Sequence, residues 1–157
     1  MNLSIYGIVP GSPIEQALSR LALTGVVNQV PREGEDGCFA EFTVYDEAEP
    51  DELGFRTYKC TVLLDRQTST VRQVSGNLLM KDQDIILKIG DHANLALSFF
   101  QMRSPASKGR DFVGVDSLKT DDGTFDLVLM CDDCIVQGIT LGCEIYQVPV
   151  LSSSPSS

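Results

Sequence analysis

Residues 38–46 read CFAEFTVYD, and the alternation in this segment limits the fold more than any other feature of the chain. In an extended strand, successive side chains point to opposite faces. Cys38, Ala40, Phe42 and Val44 therefore share a face that is apolar throughout, while Phe39, Glu41, Thr43 and Tyr45 share the other. Such a strand covers a core with one side and meets solvent or a partner with the other.

The same grammar continues. Residues 55–65 (FRTYKCTVLLD) predict a second strand, and the acidic EAEPDELG between the two, with Pro50 and Gly54, predicts a solvated hairpin loop. Further strands are expected at residues 70–74, 84–89 (DIILKI), 94–102 (NLALSFFQM) and 125–130. A short one is expected in DFVGV, and one or two closing strands in CIVQGITLGCEIYQVPVL. IGDHAN supplies a turn, an Asp-Gly turn precedes Phe125, and RSPASKGRD (residues 103–111) reads as an exposed polar loop.

One segment breaks the period. In GSPIEQALSRLALTG, Ser12 is placed to cap a helix, Pro13 to open it and Glu15 to complete a capping box. Ile14, Ala17, Leu18, Leu21 and Ala22 recur at helical spacing, and Gly25 is placed for a left-handed end cap. LSIYGIV, just before, alternates like a short strand. With roughly seven to nine strands and one helix, the expectation is a mainly β fold. Its architecture would be an antiparallel sandwich or a small barrel with one N-terminal amphipathic helix. A single β-rich domain over residues 1–151 and a disordered tail over 152–157 complete that expectation.

Charge and cysteine content narrow the surroundings. The chain of 157 residues carries a net charge of −10, which repels phosphate backbones and anionic lipid. No apolar run approaches the roughly 20 residues that span a bilayer. The N-terminal MNLSIYGIVPGSP has neither the basic nor the apolar region of a signal peptide. Five cysteines, an odd number without a regular spacing, point to free thiols in a reducing compartment, the cytoplasm or a host-cell interior.

Three of those cysteines fall in MCDDCIVQGITLGCEI. A zinc-stabilised domain would draw on Cys131, Cys134 and Cys143 with one distant ligand, but no second C-x-x-C and only one histidine, His92, accompany them. Redox chemistry is disfavoured because Asp132 and Asp133 would raise the thiol pKa and no helix follows. The plainer reading is strand–turn–strand, with the two aspartates at the tip and the cysteines as small apolar residues at the strand ends. No metal or other cofactor is expected.

No catalytic constellation emerges. There is no G-x-S-x-G, Walker A or G-x-G-x-x-G motif, KTDDGTFD lacks the rest of a calcium loop, and His92 reads as a solvated turn residue. Two surface features remain. Arg103, Lys108 and Arg110 follow the aromatic SFFQM, an arrangement that on an OB-like barrel would suit a single nucleic-acid strand. Leu95, Leu97, Phe99, Phe100 and Met102 exceed what one buried face can hide, and Tyr6, Phe39, Tyr45 and Tyr58 add to that surplus. The expectation is a non-enzymatic protein–protein interaction module, a structural or accessory subunit of a larger assembly such as a virion or multisubunit complex. Its partner would be another protein, self-association included, rather than nucleic acid or membrane.

Overall fold

The alternating segments pair as antiparallel strands. In the computed structural model, residues 3–28, 32–34, 37–101, 103–108, 111–120 and 123–142 are described. The tail expected at 152–157, the last part of the closing strands, Met102, Arg110 and Cys143 lie outside them. In chain order the elements are β1 (Leu3–Ser4), α1 (Ile14–Thr24), β2 (Val26–Val27), β3 (Arg32–Glu33), β4 (Phe39–Tyr45), β5 (Tyr58–Asp65) and β6 (Thr70–Gly76). There follow β7 (Leu78–Lys81), β8 (Asp84–Lys88), α2 (Ala93–Leu97), β9 (Arg103–Lys108), β10 (Asp111–Thr120), β11 (Gly123–Asp132) and β12 (Ile135–Gly142).

Two sheets result. The larger has the order β2-β4-β5-β6-β12-β11-β10-β9, with β3 continuing the β2 edge of β4, and the smaller has the order β1-β7-β8. Every pairing is antiparallel. The edges β2 and β9 do not meet, so the sheet is open and the barrel alternative falls. Its closure requires a continuous hydrogen-bonded ring, whereas β12 returns to pair with β6 in the middle of the sheet.

The core lies on one face of the large sheet. Val44, Cys60, Val62, Leu64, Val74, Leu127, Leu129, Ile139 and Leu141 point into it. Leu3, Leu79 and Leu87 from the small sheet, Ile5 just after β1, and Ala17 and Leu21 from α1 close over them. Each fully buried Leu, Ile or Val of this layer contributes on the order of 2 kcal/mol. The alternation in β4 holds for Ala40 and Val44, both buried, with Phe42 packed against the core from a half-buried position.

Helix α1 forms where the apolar spacing places it, but its ends differ from expectation. The Ser12 hydroxyl donates to the Val9 carbonyl at 2.5 Å, and the N-cap position is Pro13, without a side-chain cap. The capping box is displaced because β6 ties this turn down. Gly11 N–H donates to Val71 O at 2.8 Å, Val71 N–H to Ser12 O at 2.9 Å, and Ile14 N–H to Ser69 O at 3.0 Å. At the other end Gly25 is extended (φ 171°), not left-handed. Glycine is required there by close approach, since a Cβ would come within 2.3 Å of the Tyr45 carbonyl oxygen. The buried stripe is Ala17 and Leu21, while Leu18 and Ala22 face solvent.

Two further corrections concern the middle of the chain. The strand expected over 94–102 is instead α2, because Ala93, Ala96 and Phe100, three and four positions apart, are the residues that bury. His92 caps it, its Nδ1 accepting from Asn94 N–H at 3.1 Å. The loop expected over 103–111 contains a strand, β9, which pairs with β10. Strand β7 was not foreseen: NLLMK is apolar and too short to show a period.

Candidate partner-binding surface

The cysteine-bearing segment forms a two-residue hairpin. Asp132 pairs with Ile135 across the ladder, and the turn residues are Asp133 and Cys134, both left-handed (φ 53° and 63°). This is the geometry of a type I′ turn, whose twist suits adjoining strands. The expected strand–turn–strand is present with its tip shifted by one residue. Cys134 sits in the turn and is exposed, whereas Cys131 is buried in β11.

No disulfide joins Cys38, Cys60, Cys131 and Cys134. Among the described residues no three His, Cys, Asp or Glu side chains converge as a metal site, and Cys143, the third sulfur of the zinc alternative, lies outside them. Burial, and secondarily the nearby Cys134, pushes the Cys131 thiol up. Burial pushes the Cys60 thiol up to about 12, against a smaller opposing effect of Lys59. Both are held as neutral, apolar core groups and are poor nucleophiles.

The hairpin has a structural use, which is to seat α2. Ala93 N–H donates to Cys134 O at 2.8 Å, Gly90 N–H to Val136 O at 2.9 Å and Val136 N–H to Asp91 O at 2.9 Å. These bonds fix the helix at the end of the large sheet although it has only five residues, too few to be stable alone. With Ala93, Ala96 and Phe100 inward, Leu95 (41% exposed), Leu97 (54%) and Phe99 (44%) are left on the surface. Phe99 lies against Phe100 with ring centroids 6.0 Å apart, a spacing within the range of favourable aromatic pairs.

The chain matches no protein-family model, no curated protein and no solved structure. Whatever can be said of its role comes from this surface and its chemistry.

Of the five apolar residues singled out in the sequence, Leu95, Leu97 and Phe99 are surface residues, Phe100 is core and Met102 is outside the described residues. A shallow groove of about 210 Å³ lies beside the strand that leads into α2, lined by Tyr58, Asn77, Ile89, Met130, Gly138 and neighbouring residues of β6 and β12. Ile89 and Met130 are exposed there, and Met130 stands opposite Gly138 in the ladder, which leaves its side chain uncovered. Sequence reasoning missed these two because each reads as an ordinary strand residue. The signal available was Gly138, which leaves no side chain to cover its cross-strand neighbour.

The acidic loop between β4 and β5 is ordered by its own polar groups. Asp51 Oδ1 accepts from Leu53 N–H and Phe55 N–H, both at 2.9 Å, and Arg56 Nη1 donates to Ala48 O at 2.9 Å. Leu53 (81% exposed) and Phe55 (69%) project from it among the acids. The three cations of the nucleic-acid alternative are placed by the backbone only in part. Arg103 and Lys108 stand at the two ends of β9, and Arg110 is not described. No helix among the described residues is long and apolar enough to cross a membrane.

Proposed function

We propose that the chain is a non-catalytic β-domain that works by binding another protein, as a structural or accessory component of a larger assembly. The observation that carries this reading is the outward set of Leu95 and Leu97 on α2 and Phe99 in the turn after it, a segment seated on the Asp133–Cys134 hairpin. A fixed apolar surface loses little conformational freedom on binding, and a few well-buried anchors supply most of the affinity of a protein interface. The net charge of −10 makes two copies repel at contact, so the partner is a protein of cationic character.

Photo-crosslinking tests the reading. A p-benzoylphenylalanine placed at Leu97 is expected to give one dominant adduct in cells of the source organism. The same group at Gln16, exposed on α1, should give none. The partner's cross-linked peptide should be rich in Lys or Arg, and serine at Leu95 and Phe99 should abolish the adduct. Identical adducts from both positions, or chain–chain adducts alone, would refute it.

A further inference from the structure

A second feature is unrelated to the α2 surface. Between the outer side of α1 and two tight turns lies an open cleft of about 480 Å³, lined by Tyr6, Gly7, Arg20, Leu23, Lys59 and Met80 among others. Its volume is within the range of small-molecule sites. The first turn joins Ile5 to Ile8, which exchange backbone hydrogen bonds at 3.1 and 3.0 Å, with Tyr6 and Gly7 both left-handed (φ 55° and 80°). Left-handed backbone is unfavourable for a large side chain, and residues kept so tend to cluster at functional sites.

Tyr6 is held there by named contacts. Its hydroxyl donates to Asn77 Oδ1 at 2.5 Å, and Lys59 Nζ stands 4.9 Å from its ring centroid. Lys59 also donates to the Thr24 carbonyl at 2.7 Å, which fixes the ammonium at the C-terminal end of α1. Arg20 crosses Gly7 so closely that a Cβ on that glycine would lie 3.0 Å from its Nε.

Some cations elsewhere are engaged, while Arg72 and Lys81 stand without an ion pair among the described residues but outside the lining of this cleft. Arg66 is paired with Glu33, Lys88 with Asp91, and Arg56 is spent on loop carbonyls. The Arg20 guanidinium, by contrast, has no ion pair or hydrogen bond among the described residues. An acidic chain thus keeps two cations beside one cleft, which the Asp82–Gln83 turn also lines. Leu23, 78% exposed, and the half-buried Met80 provide apolar surface next to them.

We propose that this cleft binds a small organic anion, a carboxylate or phosphate head joined to an apolar body. The head meets the planar fork of Arg20 with Lys59 behind it, and the body lies on Leu23 and Met80. The arginine fork matches either head with two parallel hydrogen bonds.

The test is an amide-resolved NMR titration of the full chain with octanoate, octyl phosphate and inorganic phosphate in turn. Saturable shifts are expected at Gly7, Thr24 and Gln83 with at least one amphiphile, and the tighter of the two names the head. Inorganic phosphate should bind at least about tenfold more weakly, because it has no apolar body. The exposed Arg20→Glu change should weaken the amphiphile about tenfold or more while leaving amide dispersion intact. The proposal is overturned if neither amphiphile gives saturable shifts at those amides, if Arg20→Glu binds as tightly, or if inorganic phosphate matches octyl phosphate.

Discussion

Gly76→Ala probes how the small sheet closes over the large one. Gly76 ends β6, buried beneath the N-terminal turn, and a methyl group there would lie 2.6 Å from Ile5 Cγ2, 3.1 Å from Lys59 O and 3.2 Å from Cys60 Cβ. Ordinary carbon contacts are about 3.5–4.0 Å, so the Ile5 branch must retreat by about 1 Å. Ile5 is fully buried and its backbone is bonded to Ile8, so the retreat disturbs the core and the Tyr6 turn together. Overpacking of this kind costs about 1–3 kcal/mol. In a chain of 157 residues that lowers Tm by about 3–10 °C. Urea and thermal unfolding of Gly76→Ala, Ile5→Leu and the double variant provide the assay. Leucine has no branch at Cβ, so Ile5→Leu removes the clashing atom at nearly constant volume and costs under about 1.5 kcal/mol. The double variant should then be less destabilised than the sum of the two single changes, by about 1 kcal/mol. If Gly76→Ala unfolds within about 0.5 kcal/mol of the parent, or the two changes simply add, Ile5 does not pack on the end of β6 as described.

Two further outcomes follow from burial. Phe100→Ala should cost about 3–5 kcal/mol in urea unfolding and Phe99→Ala under about 1 kcal/mol, since only the first ring is buried; equal losses would contradict the helical reading of this segment. In a thiol-reagent time course on folded protein, Cys134 should react quickly and Cys60 and Cys131 only as the chain opens. The pH dependence has a definite sign. Above the ordinary thiol range the unfolded chain loses the Cys60 proton while the folded chain keeps it up to about 12. Stability is therefore complete below the unfolded value and falls as pH rises through that window, by at most about 1.4 kcal/mol per unit. Cys60→Ala should flatten that decline, measured as urea midpoints from pH 8 to 11.

The parts of the fold that could be read from the sequence are those where one physical effect dominates. In β4 and β5 a one-sided core dictates period 2, and in α1 the apolar residues recur at helical spacing over a length that only a helix explains. NLALSFF admits both periods, because Leu95, Leu97 and Phe99 alternate as neatly as Ala93, Ala96 and Phe100 recur. What decides is the docking of Ala93 onto the Cys134 carbonyl, a contact between residues far apart in the sequence that no local pattern contains. The same holds for the cleft: Tyr6, Arg20, Lys59 and Met80 carry no motif and meet only because β1 pairs with β7 over the end of α1. The hairpin at Cys131–Cys134 was legible as a turn, but its one-residue shift depends on the bulge between Met130 and Cys131.

The edges of the large sheet bear on how a partner can bind. Strand β9 is its last strand among the described residues, and an open edge invites another strand to add. Its sequence, RSPASK, works against that. Pro105 has no N–H to offer, and Ser104 and Pro105 together stand opposite Gly114, where the register shifts. A proline in a bulge on an edge strand interrupts the row of donors that an added strand needs. At the opposite edge, β2 and β3 have two residues each, too short to template a partner strand. With both of its edges blunted in this way, strand addition to the large sheet is disfavoured. On the reading proposed above, a partner of the large sheet would meet a face rather than an edge, and the apolar surface around α2 is the one offered.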